Sequence, residues 1–127
     1  MNIEIKSLEK HEDGRGLLLE ILKSDEINES IQQIYFSTSK PGAVRGGHYH
    51  KKKIEWFCAV KGTGKLFLEN ITTKEKKEII LYHDKPTVVK VLPNIWHSLE
   101  NIGGTEMHLI VISNMIFDPD DPDTYVK

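Results

Sequence analysis

Four polar residues of this chain have the types and spacing most suited to chemistry. They are His48, His50, Glu55 and His97, and the first three follow the pattern His-x-His-x4-Glu. Side chains at i and i+2 of a β-strand point to the same face, so His48 and His50 share one side while Tyr49 points to the other. Three imidazoles with one carboxylate suit Zn, Fe, Mn, Ni or Cu. The pattern predicts a metal or catalytic site; the alternative is two strand histidines on a polar face, beside an unrelated Glu and His.

Strands and turns must bring these side chains together. Glu55 lies at the start of the apolar run 54–60, and we expect it to reach the histidine face from a neighbouring strand across the tight basic turn 51–53. His97 follows a turn at Asn94, because Asn tolerates positive φ better than most residues. All four side chains would then lie on one face.

Short apolar runs separated by turn residues fill the rest of the chain, and helical periodicity is absent. Many short strands at regular spacing predict an all-β, antiparallel sandwich or barrel, and 127 residues suit one domain over residues 1–127. The acidic, proline-punctuated tail 117–125 is expected to be an extended surface segment. The expected strands are 16–23, 30–37, 44–50, 54–61, 64–70, 77–82, 87–92, 97–101 and 106–115, with a short helical turn within 24–28.

Composition excludes several classes of function. The formal net charge of −2 gives no reason to expect a nucleic acid or an anionic membrane as partner. The single cysteine, Cys58, cannot form an intrachain disulfide, and we expect it to be a small buried apolar residue. The sequence shows neither a signal peptide nor a transmembrane segment, so the cytoplasm is the expected compartment.

Two segments resemble the motifs of the cupin family. Residues 46–55, which read Gly-Gly-His-Tyr-His-Lys-Lys-Lys-Ile-Glu and are followed by Gly62, resemble the first motif. Residues 92–101 resemble the second, with Leu92 and Asn94 where the usual Pro and Gly stand. The resemblance implies a cupin fold, which is an antiparallel double-sheet barrel or jelly roll.

The likeness extends to cupins that modify nucleotide-linked keto-sugars. The similar segments are 13–16 (Asp-Gly-Arg-Gly), 45–51 (Arg-Gly-Gly-His-Tyr-His-Lys) and the tail 117–125. Together they look most like the C-terminal cupin domain of bifunctional capsular-polysaccharide enzymes that act on UDP-linked 4-keto-6-deoxy sugars. That resemblance implies epimerisation at C3 of a nucleotide-diphosphate sugar, with a divalent metal, above all zinc, in the cupin domain.

Two related groups share part of the pattern. The chain resembles dTDP-4-keto-sugar 3,5-epimerases at His48, but it has His50 and Glu55 where that group has Gln and a catalytic Lys. It resembles dTDP-4-keto-6-deoxyglucose 3,4-ketoisomerases at Arg45, Gly46, His48, His50 and Lys51, but that group has Gln in place of Glu55 and works without metal. Ketoisomerisation is therefore the second hypothesis, and a non-catalytic metal- or sugar-binding cupin is the third.

All three enzyme groups remove an acidic C–H next to a ketone, which needs a base and a positive charge at the developing oxyanion. His48 and His50 are candidate bases because histidine titrates near neutral pH. If both bind metal instead, the proton transfer falls to Tyr35, to Lys53 or to a water on the metal. The sequence leaves this choice open.

Other residues are candidates for binding the substrate or a second copy. The Arg45 guanidinium could bind a diphosphate, with a surface salt bridge as the alternative. Lys51 matches the ketoisomerase pattern, and Trp96 could wall the pocket or stack a base, although core packing explains it equally simply. We also expect a homodimer in which the alternating segment 2–7 adds to a partner's sheet, since a small barrel leaves sheet edges open.

Overall fold

A computed structural model describes residues 1–127, and strands dominate it, in agreement with the predicted all-β class. The only helical element is one 3-10 turn, η1 (Ser24–Glu26), within the expected range. No helix is long and apolar enough to cross a membrane. The strands are β1 (Glu4–Ser7), β2 (Lys10–Asp13), β3 (Gly16–Leu19), β4 (Gln33–Ser39), β5 (Val44–His48), β6 (Glu55–Lys61), β7 (Thr63–Asn70), β8 (Lys76–Tyr82), β9 (Thr87–Val91), β10 (Ile95–Asn101) and β11 (Met107–Ser113).

Two antiparallel sheets face each other, which is the arrangement predicted from the cupin motifs. One sheet has the order β1-β9-β6-β11-β4, and the other has the order β5-β10-β7-β8. The hairpin of β2 and β3 forms a third, separate sheet. Strands that follow one another in sequence therefore often lie in opposite sheets, and the connections between them run around the ends of the sandwich.

The core fills the space between the two sheets. Alternate residues of each strand point inward because the side-chain period of a strand is two. The core members are all apolar: Phe57, Ala59, Leu66, Leu68, Ile79, Leu81, Val89, Val91, Ile95, Leu99, Met107, Leu109 and Val111. One end of this core meets the candidate site, where the Phe57 ring lies 5.4 Å from the ring of His97.

Strand β6 is buried on both faces. Its outward residues Trp56 and Cys58 form a second apolar cluster with Val88 and Ile112. The N-terminal part of the chain packs over this cluster through Leu8, Ile21, Leu22 and Ile27. Burial on both sides explains why the 54–60 run is continuously apolar, and it places Cys58 in the buried setting expected for it.

One expectation about strand pairing was wrong. Strands β5 and β6 belong to different sheets, so the turn 51–53 links the sheets and does not form a hairpin. The segment near the N-terminus forms β1, which pairs with β9 of its own chain, with Ile5 opposite Val89, and is an edge strand of the five-stranded sheet. The sequence also gave no indication of β2, whose residues are polar and exposed.

Candidate metal centre

The four predicted donor residues meet at one end of the sandwich. His48 ends β5 and pairs in register with His97 of β10, in the four-stranded sheet. Glu55 begins β6 in the five-stranded sheet, and His50 lies in the connection between β5 and β6. Their ligand atoms all lie within 4.8 Å of one another. The cluster thus spans both sheets, and His50, Glu55 and His97 are buried.

In His50 and His97, a hydrogen bond at Nδ1 leaves Nε2 as the nitrogen that points into the cluster. Nδ1 of His50 lies 2.6 Å from the carbonyl oxygen of Asp123, and Nδ1 of His97 lies 3.1 Å from that of Ile95. A carbonyl oxygen can only accept a hydrogen bond, so each Nδ1 carries the hydrogen and donates it. In the neutral imidazole the lone pair is then on Nε2, the arrangement typical of metal-binding histidines.

These lone pairs converge on a carboxylate oxygen. Nε2 of His50 is 2.9 Å and Nε2 of His97 is 3.4 Å from Oε1 of Glu55. Neutral imidazole nitrogens and a carboxylate oxygen would repel one another at such distances, so a cation must lie among them, either protons on the rings or a metal ion. Donors around a transition metal at about 2.0–2.2 Å are separated by roughly 3–4.4 Å. The set spans up to 4.8 Å, slightly more than this, so its residues fit a divalent metal after small shifts of the side chains.

The pKa values of Glu55 and His48 favour the deprotonated states in which these side chains can bind a metal. Burial acts to raise the pKa of Glu55, but the hydrogen-bonded imidazoles of His50 and His97 outweigh it and hold the pKa well below its usual range. Burial, followed by the neighbouring charges of His97 and His50, lowers the pKa of His48 to about 4. At neutral pH the site thus presents one carboxylate and a neutral His48 imidazole.

Tyr35 holds the other oxygen of Glu55. Its hydroxyl donates to Oε2 at 3.2 Å, while Oε1 faces the two histidines. Burial raises the pKa of this phenol, and the negative charge of Glu55 raises it further. Tyr35 therefore remains protonated and orients the carboxylate toward the imidazoles.

A cavity of about 210 Å³ opens beside the cluster. His48, His97 and Tyr35 form its polar side, together with Arg45 of β5. The rest of its lining is mainly apolar and belongs to the core: Phe57, Leu66, Leu99, Leu109 and Val111. An apolar pocket with a few convergent polar groups is the usual form of a small-molecule site.

Of the two cations predicted for the site, Arg45 lines this cavity and Lys53 does not. Arg45 is held by β4: its Nε and Nη2 donate to the carbonyl oxygen of Thr38 at 3.0 and 2.6 Å. Lys53 is only 8% exposed, forms no salt bridge, and has its Nζ 5.7 Å from the centre of the Phe117 ring. The Lys53 charge is among those that depress the pKa of His48. Lys53 is thus a buried cation close to the cluster without an anionic partner.

The structure does not bring two other predicted residues to the cavity. Trp96 lies next to His97 on β10 and so points to the outer face of the sheet, where Lys127 Nζ lies 3.8 Å above its ring. The Lys51 ammonium lies 4.1 Å above the ring of Tyr125. His108 of β11 also lies away from the cavity, with its Nε2 3.0 Å from Oε1 of Glu106.

One residue of the site, Asp123, could not be identified from the sequence. Asp123, in the tail expected to be an exposed surface segment, is only 4% exposed and contacts His50. Tyr125, two residues further on, is held by backbone hydrogen bonds of 2.9 Å in both directions with Tyr49, while residues 117–122 are exposed as predicted. Nothing distinguished Asp123 among several acidic neighbours, because its partners are distant in sequence.

Comparison with known families agrees with this geometry. The family model described as the polysaccharide biosynthesis C-terminal domain matches residues 11–125. The chain belongs to this family.

Three relatives illustrate the range of proteins that contain such a domain. A UDP-2-acetamido-2,6-beta-L-arabino-hexul-4-ose reductase of Pseudomonas aeruginosa is 36% identical over 91% of this chain, and the match spans 30% of that protein. The probable low-salt glycan biosynthesis epimerase Agl13 of Haloferax volcanii is 27% identical over 96% of this chain and 83% of its own length. The crystal structure of the capsular polysaccharide assembling protein CapF of Staphylococcus aureus superposes with a TM-score of 0.74 at 34% identity, covering 94% of this chain and 34% of CapF. The chain thus spans about a third of the reductase and of CapF.

Proposed function

We propose that this chain epimerises C3 of a nucleotide-diphosphate-linked 4-keto-6-deoxy hexose, with UDP preferred over dTDP, in the synthesis of a surface polysaccharide. The observation that carries the proposal is the convergence of His48, His50, Glu55 and His97 beside a cavity. The family, a relative named for a UDP-linked 4-ketose and another named as a glycan epimerase support the substrate class and the reaction type.

A ketone at C4 makes the hydrogen on C3 acidic. Removal of that proton breaks the C3–H bond, forms a C3–C4 double bond and moves the electron pair to the C4 oxygen. Return of a proton to the opposite face of C3 restores the ketone and inverts the carbon. A bound divalent metal, which we propose to be zinc, would supply Lewis acidity at the ketone oxygen.

The four donors would hold that metal, so the proton transfers fall to other groups. Tyr35 is our first candidate for returning the proton to C3, because its protonated hydroxyl lines the cavity and is oriented by Glu55. Lys53 is the second candidate for this step; it lies outside the cavity lining, but it is buried without a carboxylate partner and its charge acts on His48. Removal of the C3 proton needs an unprotonated base, and a water held at the metal site would supply it.

Arg45 is our candidate for binding the substrate. Its guanidinium lines the cavity and is already oriented by the Thr38 carbonyl, so little side-chain entropy remains to be lost when an anion binds. Lys51 lies outside the cavity lining, and we assign it at most to the diphosphate. Trp96, on the outer face, is not part of this proposal.

The second candidate function is 3,4-ketoisomerisation of a dTDP-4-keto-6-deoxy sugar. One feature favours it: the rings of His48 and His50 lie 5.0 Å apart, close enough to serve two adjacent carbons as bases without metal. A non-catalytic cupin that binds a metal or a sugar is the third.

Deuterium exchange distinguishes these functions. Candidate UDP- and dTDP-linked 4-keto-6-deoxy sugars are incubated with the protein in heavy water and followed by NMR. Deuterium at an inverted C3 with the ketone still at C4 supports the epimerase, whereas a ketone moved to C3 supports the ketoisomerase. A protein that causes no exchange and binds neither UDP nor dTDP is not an enzyme of this class.

We also propose that the chain forms a homodimer through an edge of the five-stranded sheet, either β1, as the sequence led us to expect, or β4. Both are edge strands, and β4 has a largely exposed apolar pair, Ile34 (64%) and Phe36 (57%). Such an edge favours pairing with a second copy. Light scattering at micromolar concentration should give twice the 14.6 kDa chain mass, and a monomer would reject the proposal.

A further inference from the structure

Asp123 of the C-terminal tail binds the connection that carries His50. Its Oδ1 accepts the backbone N–H of Lys51 at 2.9 Å, and its Oδ2 accepts those of Lys52 at 3.0 Å and Lys53 at 2.9 Å. One carboxylate thus satisfies three consecutive amides of the turn between His50 and Glu55. Asp123 does this in a left-handed conformation with φ of +47°.

The same residue also contacts the imidazole of His50. Its carbonyl oxygen accepts the hydrogen of His50 Nδ1 at 2.6 Å, across a separation of 73 residues. The backbone pairing of Tyr125 with Tyr49 anchors the chain on one side of this contact. Asp123 therefore hydrogen-bonds to the loop through its side chain and to His50 through its backbone carbonyl.

We propose that Asp123 is a positioning residue that fixes the tautomer and the orientation of His50, so that docking of the tail and binding of the metal are coupled. The inference rests on the proposed metal site. With Nδ1–H committed to Asp123, the lone pair of Nε2 faces Glu55 and the other donors. A tail that detached would leave His50 free to rotate and to exchange tautomers.

The coupling works in both directions. If the docked tail strengthens metal binding by some factor, the metal strengthens tail docking by the same factor. Loss of a partner that orients a metal-binding histidine typically weakens metal affinity by about 10–100-fold. The effect should therefore be large enough to measure without an activity assay.

A matched pair of substitutions tests the proposal. Asp123→Asn keeps the size of the side chain and tolerates positive φ, but it replaces one acceptor oxygen with an NH₂ group that would face a backbone N–H. Asp121→Asn removes the same charge from the same tail at an exposed site, 3.6 Å from the Lys52 ammonium. Zinc affinity is measured for both variants and wild type by competition with a chromophoric chelator.

We expect Asp123→Asn to weaken zinc binding by about 10–100-fold, and Asp121→Asn to stay within about twofold of wild type, as for an exposed ion pair. If wild type binds zinc and the two variants bind it equally well, the positioning role is overturned while the metal site stands. If wild type binds no zinc, the proposed metal function and this inference fall together.

Two measurements on wild type keep the test decisive if Asp123→Asn does not fold. ¹⁵N NMR of the zinc-loaded protein should show His50 with its hydrogen on Nδ1 and zinc on Nε2, and zinc on Nδ1 would overturn the proposal. Zinc should also slow hydrogen exchange at the amides of Lys51, Lys52 and Lys53. Unchanged exchange on zinc addition would show that tail and metal are not coupled.

Discussion

Two histidine–glutamate pairs of this protein have almost the same separation and very different surroundings. His50 and Glu55 lie 2.9 Å apart inside the sandwich, with side chains 6% and 5% exposed. His108 and Glu106 lie 3.0 Å apart on the outer face of the five-stranded sheet, with side chains 28% and 48% exposed. Only the inner pair is joined by two further histidines.

The comparison shows that the distance between two side chains does not define a site. At the inner pair, backbone carbonyls fix the imidazole tautomers and Tyr35 fixes the carboxylate, so the donors are oriented before a ligand arrives. Apart from Glu106, His108 contacts the edge of the Phe36 ring, 5.2 Å away, and no backbone carbonyl holds its second nitrogen. Convergence, burial and fixed orientation separate a candidate metal centre from a surface ion pair.

The largest effect should come from removing one inner donor. We expect His97→Ala to lower zinc affinity by more than about 100-fold. Loss of a residue that only hydrogen-bonds to a ligand already lowers metal affinity by about 10–100-fold, and loss of a ligand itself should lower it further. The matched control is His108→Ala, which should keep the roughly one equivalent of metal expected for wild type. Metal analysis after purification without chelator makes the measurement. Full occupancy in His97→Ala would contradict the four-donor site.

Removing the negative charge of the inner pair should have the next largest effect. Glu55→Gln replaces the one anionic donor, so we expect zinc affinity and deuterium exchange at C3 to fall together, each by about 10–100-fold. Glu106→Gln makes the same change on the outer face and should alter neither. A Glu55→Gln protein that keeps its rate without metal would favour the metal-free ketoisomerase instead.

Two neighbouring glycines of β5 test how tightly the backbone around the inner pair is packed. Gly46 and Gly47 have nearly equal φ of +84° and +82°, but a Cβ on Gly46 would lie 3.0 Å from the carbonyl oxygen of His97, whereas one on Gly47 would have nothing within 4 Å. Both changes to Ala incur a left-handed backbone cost of about 1–2 kcal/mol. We expect Gly46→Ala to cost a further 1–3 kcal/mol or so from crowding. Urea denaturation of both variants measures the difference, and equal stabilities would show that β5 can shift away from His97.

The smallest effect should be on the stability of the outer pair. Exposed ion pairs contribute about 0–1 kcal/mol, so we expect Glu106→Gln to change the free energy of unfolding by less than about 0.5 kcal/mol. Thermal unfolding with and without salt measures this change; at roughly 0.5 M salt, surface charges are screened. A loss several times larger would mean that the outer pair is more than a surface contact.

Much of the fold was predictable because strand alternation and turn residues are local signals. The strands containing the core residues were predicted to within a few residues, and the turn at Asn94 is confirmed by its φ of +64°. Errors fell where local signals are weak. Strand β2 has no apolar residue, and the basic turn 51–53 gives no sign that it crosses between sheets.

The sequence by itself determined the four candidate donor residues, the all-β class and the pairs of residues that share a strand face. Each of these follows from residue type and a period of two. Only the tertiary structure decided which face is inward, so that His97 enters the cluster while Trp96 and His108 do not. It also brought Tyr35 to Glu55 and Asp123 to His50. These contacts join residues 20 and 73 positions apart, and their geometry exists only after the two sheets have packed and the tail has closed over their end.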